Sequence, residues 1–211
     1  MNNNEISQHY RKNLKDAIAL NESLKFPNKT KINPDLDVNN DYINYIGNII
    51  HSYLYNTLIE NSPNYWGASC QTHSTQIFAF LTAIDIKSDI VYGEVKINNN
   101  NEFNTTTNNL IDEYKSDIIS DEPQMIHAWV SIGGDIIIDS CLPDRITKNH
   151  GIPRDQMPPF IVGSAKEIAH YFKAEYIPML VGTDFLAKTN PPNPLDEIEK
   201  YKVVKKFINI S

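Results

Sequence analysis

The strongest constraint on this chain is a change of hydrophobic period along its length. Ile6, Tyr10, Leu14, Ala17, Ile18 and Leu24 recur at three- and four-residue spacing, which predicts an amphipathic helix. A second helix carries Tyr42, Tyr45, Ile46, Ile49, Tyr53 and Leu54 on one stripe, with Asp41 as its expected N-cap and Ser62-Pro63-Asn64 as its stop. A third begins at Ser69 or Cys70 and turns Ile77, Phe78, Leu81 and Ile84 inward. Beyond it the pattern becomes strand-like, over Asp89–Ile97, Met125–Ile132, Asp135–Asp139 and Tyr176–Val181. Pro178 assigns the last of these to an edge or a bulge. Ser164 and Glu167 have capping-box spacing ahead of a short helix.

Two segments read as loops, Phe26–Asn40 and the Asn- and Thr-rich Asn98–Asn109, and Asp144–Pro159 is turn-rich. Pro191, Pro192 and Pro194 precede a last expected helix over Leu195–Lys206. Helices first and strands afterwards predict one α+β domain. Its expected parts are a helical 1–62, a core over 63–190, and a tail or helix over 191–211.

Composition excludes several classes of function. Nineteen basic against twenty-six acidic residues leave a net charge of −7, unsuited to a nucleic-acid backbone. No apolar run approaches the roughly 18 residues of a membrane span. The polar Met1–Glu5 lacks a secretory h-region behind it, so a cytoplasmic location is the default expectation, with leaderless export open. Two cysteines cannot build a disulfide framework. The 25 Asn and 29 Ile have the look of an AT-rich coding bias, which removes functional weight from the Asn runs.

The chemistry concentrates around Trp66-Gly67-Ala68-Ser69-Cys70-Gln71-Thr72-His73. A cysteine in the first turn of a helix sits among unpaired N–H groups, where the helix dipole favours thiolate over thiol. Alone, Cys70 reads more readily as a small buried hydrophobe than as a nucleophile. His127 interrupts an apolar strand, Met125-Ile126-His127-Ala128-Trp129-Val130, and Asp139 follows three isoleucines. A carboxylate there is costly to bury without a partner, and an imidazole would supply one.

Cys70 on a helix, His127 on a strand and Asp139 on the next strand follow the chain order of a known family. Gly67–Cys70, Leu81-Thr82-Ala83-Ile84, Ile90–Val95 and His127-Ala128-Trp129-Val130 through Asp139-Ser140 together resemble the transglutaminase-like branch of the papain-like cysteine enzymes. The resemblance covers about residues 64–141. It implies a nucleophile helix packed on a small antiparallel sheet, here with extra N-terminal helices, and a catalytic Cys70–His127–Asp139 triad. The implied reaction is acyl transfer from a peptide or protein amide through a thioester, with no cofactor. Water as acceptor makes a peptidase, amidase or deamidase, and an amine makes a transglutaminase-type transferase.

Further residues carry two readings each. Asn64 lies six residues before Cys70, where papain-like proteases often place an oxyanion-stabilising amide, but it reads more readily as part of the Pro63 turn. Trp66 reads as a shield for the thiolate or an anchor for its loop, Gln71 as a cleft residue, and Trp129 as a cleft wall or core. His73, with His127, Asp139 and Cys141, offers a rival zinc set, although no closely spaced ligand pair nucleates it. A catalytically dead binding module is a third class. Asn98–Asn109 reads as a passive loop or as a lid.

Strand parity makes one geometric demand. A regular two-residue turn at Gly133-Gly134 would place His127 and Asp139 on opposite faces. Their pairing therefore requires an odd-length connection or a bulge. A three-residue loop of Ile132, Gly133 and Gly134 would put His127 directly opposite Asp139.

Overall fold

The computed structural model describes residues 3–116 and 124–208. Helices α1 (Asn3–Ser23), α2 (Asn40–Tyr53), α3 (Tyr55–Asn61) and α4 (Cys70–Ala83) come first. They are followed by β1 (Asp89–Ile97), the two-residue β2 (Asn100–Asn101), α5 (Thr107–Lys115), β3 (His127–Ser131) and β4 (Ile136–Asp139). The chain then forms α6 (Leu142–His150), β5 (Ile161–Ser164), α7 (Ala165–Phe172), β6 (Ala174–Val181) and α8 (Asp184–Thr189). The architecture is α+β, as the change of period requires.

Every strand pairing is antiparallel. β1 is central: β3 lies along one edge and β6 along the other, while β4 continues from β3 and β5 from β4. Alternation sorts the strand side chains into two cores. Ile90, Tyr92, Ala128, Val130, Ile136, Ile138 and Leu180 join α2, α3 and α4 on one face. Val91, Val95, Trp129, Ile137, Tyr176 and Val181 meet Tyr10, Leu14 and Ala17 of α1 and Ile168 of α7 on the other. The N-terminal helices thus cover both faces of the sheet.

Pro178 sits where its missing N–H costs least. Among the described residues β6 pairs with β1 alone, and its register skips between Tyr92 and Gly93, leaving Met179 as the extra residue of a bulge. The capping box at Ser164 and Glu167 forms in full at the start of α7.

Several expectations need correction. The N-cap of α2 is Asn39, whose side chain accepts from the Tyr42 N–H at 2.8 Å, and not Asp41. Its buried stripe is Ile43, Ile46, Ile49 and Ile50, leaving Tyr42 and Tyr53 exposed. Asn98–Asn109 is not wholly loop: it holds β2 and the start of α5, capped by Thr106. The turn-rich Asp144–Pro159 opens inside a helix, α6, which starts at Leu142 with Pro143 in its first turn and is capped by Gly151 at φ 70°, and it holds a 3-10 turn over Arg154–Gln156. The C-terminal segment forms 3-10 turns over Pro194–Tyr201 and Val204–Lys206. β5 and α8 had no anticipated counterpart.

The β3–β4 connection meets the parity demand in a different register. Val130 is level with Ile138, so the strands carry His127 and Asp139 on one face. Continued along the strands, this register sets Asp139 opposite Trp129, and His127 meets it diagonally. Ser131 closes the turn, its Oγ donating to the Ile136 carbonyl at 2.8 Å and accepting from the Gly133 N–H at 3.1 Å. The tip packs tightly on the chain at 33–36: a Cβ on Gly134, at φ +58°, would lie 2.3 Å from the Leu36 carbonyl oxygen.

Candidate active site

β3 begins and β4 ends at the same end of the sheet, and the N-terminus of α4 abuts that end. Cys70 is the first residue of α4 and is 7% exposed. Its thiol donates at 3.7 Å to the carbonyl of Ile126, the residue before His127. Around Cys70 the Ser69 N–H donates to the Trp66 carbonyl at 2.8 Å and the His73 N–H to the Ser69 carbonyl at 2.9 Å, whereas the N–H groups of Cys70, Gln71 and Thr72 come too early in α4 for an acceptor within the helix. Cys70 lines an open cleft of about 540 Å³, walled by Gln71, Thr72, Phe103, Gln124, Met125 and Arg145 among others.

His127 and Asp139 are both buried, and His127 Nε2 donates to Asp139 Oδ2 at 2.6 Å. The other oxygen, Oδ1, accepts from the N–H groups of Cys141 at 2.7 Å and Leu142 at 3.1 Å, so the same carboxylate tethers the start of α6. Tyr176 donates its hydroxyl to Oδ2 at 2.8 Å. Burial raises the Asp139 pKa, but His127, the backbone donors and Tyr176 outweigh it and hold the group below its ordinary value. Burial also pulls the His127 imidazolium down, yet Asp139 and, to a lesser extent, Cys70 more than offset this and set its pKa at about 9. His127 Nδ1 is buried and has no hydrogen-bond partner among the described residues. The imidazole is therefore oriented by a carboxylate on one edge, and the Cys70 thiol is near enough to act on its pKa.

The remaining expected residues divide. Gln71 lines the cleft, bonded to Gln124 on one side and Asn190 on the other. Asn64 is exposed in the turn at 62–65 and is not among the cleft-lining residues, because a 3-10 turn over Trp66–Ala68 separates it from Cys70. Trp66 anchors this turn: its N–H donates to Asp144 at 2.7 Å and its indole to the Ser62 carbonyl at 2.8 Å. Trp129 shares a face with His127 but belongs to the core below it, donating to the Tyr10 hydroxyl at 3.0 Å.

The zinc set is not assembled. Among the described residues, no three His, Cys, Asp or Glu side chains converge where a metal could be held. His73 instead pairs its Nδ1 with Ser140 Oγ at 2.9 Å and packs edge-on against Trp66. Burial holds its pKa down to about 4, so it stays neutral.

Sequence reading missed Tyr176, Phe103, Arg145 and Glu94. Phe103 stacks on His127 and Arg145 covers Phe103 from the cleft side. Glu94 carried a signal of the same kind as Asp139, a carboxylate within an apolar strand.

No protein-family model, curated protein or solved structure matches this chain. Among the described residues, no helix is long and apolar enough to cross a membrane.

Proposed function

We propose that this chain is a cysteine-dependent acyl-transfer enzyme with a papain-like core of the transglutaminase-like kind, hydrolysing an amide of a peptide or protein. The observation that carries the reading is the buried His127–Asp139 pair, with a cysteine at a helix N-terminus in an open cleft close enough to raise the pKa of the imidazole. Cys70 Sγ attacks the amide carbonyl carbon, and the oxyanion meets first-turn N–H groups of α4. The C–N bond then breaks, and the imidazolium of His127 gives its proton to the departing amine. Water attacks the thioester carbon, His127 takes a proton from it, and the acid leaves as the C–S bond breaks. An amine in place of water gives the transferase outcome.

The test is one equivalent of iodoacetamide on the folded protein across pH 5 to 10, followed by peptide mapping. Cys70 should label well ahead of Cys141, at a rate that persists below neutrality and that His127→Ala removes there. Equal, slow labelling with the midpoint of an ordinary thiol, about 8.5, would overturn the proposal.

A further inference from the structure

A second carboxylate lies behind the site. Glu94, in the middle of β1, is 1% exposed, and among the described residues no cation pairs with it. Its charge is met by backbone instead. Oε1 accepts from the N–H groups of Val95 at 2.8 Å, Glu102 at 3.1 Å and Phe103 at 2.9 Å, and Oε2 from Thr105 at 2.8 Å. Three of these donors belong to the segment 102–105, which joins β2 to α5. A buried carboxylate stripped of its donors is costly, and so is a loop with unpaired N–H groups. Segment and carboxylate therefore hold each other.

The segment so fixed delivers one side chain to the site. The Phe103 ring lies flat on the His127 imidazole, with 4.1 Å between centroids and 7° between planes. The Arg145 guanidinium lies 4.5 Å over the same phenyl ring. It is tied back to the segment by Nη2 donating to the Glu102 carbonyl at 2.8 Å and Nε to Glu102 Oε1 at 3.1 Å. Thr105 Oγ1 donates at 3.1 Å to the carbonyl of Met125, fastening the segment to the chain that leads into His127.

Asp139 restrains only one edge of the imidazole. A ring held at one edge can still tilt about that hydrogen bond, and a small tilt moves the opposite nitrogen furthest. A flat partner on its face removes that freedom, which is what acid–base chemistry at Nδ1 requires. We propose that Glu94 is a positioning residue for His127, acting through the 102–105 segment and the Phe103 ring to keep the free Nδ1 edge toward Cys70. The catalytic meaning of this rests on the thiol-enzyme reading above. The segment expected to be a passive loop or a lid becomes a fixed brace.

The experiment compares wild type, Glu94→Gln, Phe103→Leu and Phe103→Tyr by two independent readouts. One is the rate of Cys70 alkylation by iodoacetamide against pH. The other is solvent exchange of the His127 Nε2 proton by NMR, assigned by its loss in His127→Asn. Glu94→Gln keeps the shape but turns an amide NH₂ toward backbone donors. Glu94→Gln and Phe103→Leu should each slow Cys70 labelling at pH 6.5, and speed the exchange, on the order of tenfold or more. Phe103→Tyr, which keeps the flat face, should restore both. If Glu94→Gln fails to fold, the contrast between Phe103→Leu and Phe103→Tyr carries the decision.

A purely structural role would lower the melting temperature and leave both readouts at wild-type values, overturning the proposal while the thiol reading stood. An ordinary wild-type thiol whose His127 exchange still responds to these variants would sink the enzyme reading and keep the brace. An ordinary thiol with unresponsive exchange would sink both.

Discussion

The hydroxyl of Tyr176, on the edge strand β6, donates at 2.8 Å to the very oxygen of Asp139 that accepts from His127. With the Cys141 and Leu142 N–H groups on the other oxygen, the carboxylate receives four hydrogen bonds, drawn from three separate parts of the chain. Tyr176→Phe leaves the ring packed edge-on against Trp129 and removes one of the four. The expected loss is about 2 kcal/mol in urea unfolding. Because the folded Asp139 pKa is depressed, its contribution is present above the ordinary carboxylate range and lost as pH falls through the folded value. The variant should narrow that acid-dependent loss, and an unchanged acid limb would refute the role assigned to the phenol.

His73 sets a second pH dependence, of different origin. Its folded pKa of about 4 lies below the ordinary 6.5, so the unfolded chain takes up a proton that the folded one refuses. Stability should fall between pH 6.5 and 4, with a slope of at most about 1.4 kcal/mol per pH unit from this group. Asp89 opposes it: burial raises its pKa to about 6, so its contribution is full at low pH and lost as pH rises through that value. The difference between wild type and His73→Gln isolates the histidine. Parallel stability curves for the two proteins from pH 4 to 6.5 would show that His73 does not titrate as described.

Gly93 faces His127 across the β1–β3 pair. A Cβ there would stand 2.0 Å from the Ile177 carbonyl oxygen and 3.0 Å from the indole of Trp129. Gly93→Ala must push apart β1 and β6 at the bulge and should cost about 3 kcal/mol. Gly163 on β5 meets only ordinary contacts, the nearest at 3.6 Å, and Gly163→Ala should be tolerated. Equal melting temperatures for the two variants would contradict this account.

The two thiols should behave differently toward a disulfide reagent in excess. Cys141 is buried, and burial together with nearby Asp139 pushes its pKa well up. It should react only as fast as the protein unfolds, accelerating with urea, while Cys70 reacts through the cleft at a urea-independent rate. A Cys141 rate that ignores denaturant would mean the thiol is reached in the native state.

The pairing of His127 with Asp139 was legible because each residue breaks an apolar strand, and strand parity then decides whether they share a face. The register was not, because Ser131 folds back on the Ile136 carbonyl and moves the turn. Cys70 was legible from its place at a helix start. Asn64 misled because counting residues says nothing of direction, and the 3-10 turn at Trp66–Ala68 intervenes. Pro143 and Gly151 bracket α6 with ordinary start and stop signals that the surrounding turn residues concealed. Tyr176 and Phe103 could not be found locally. Their partners lie 37 and 24 positions away, on strands whose neighbours the sequence does not name.

The pairing of β1 on both edges has a consequence for the order in which the chain is made. β6 is the last strand and covers the second edge of β1, so a chain synthesised only as far as Lys173 leaves that edge bare along Val91–Ile97. It also lacks the phenol on Asp139, although Cys70, His127 and Asp139 have all been made. Bare edges pair with other chains. The interval between residues 139 and 181 is therefore when a nascent chain holds every reactive group without the strand that closes its sheet, and when it is most exposed to aggregation.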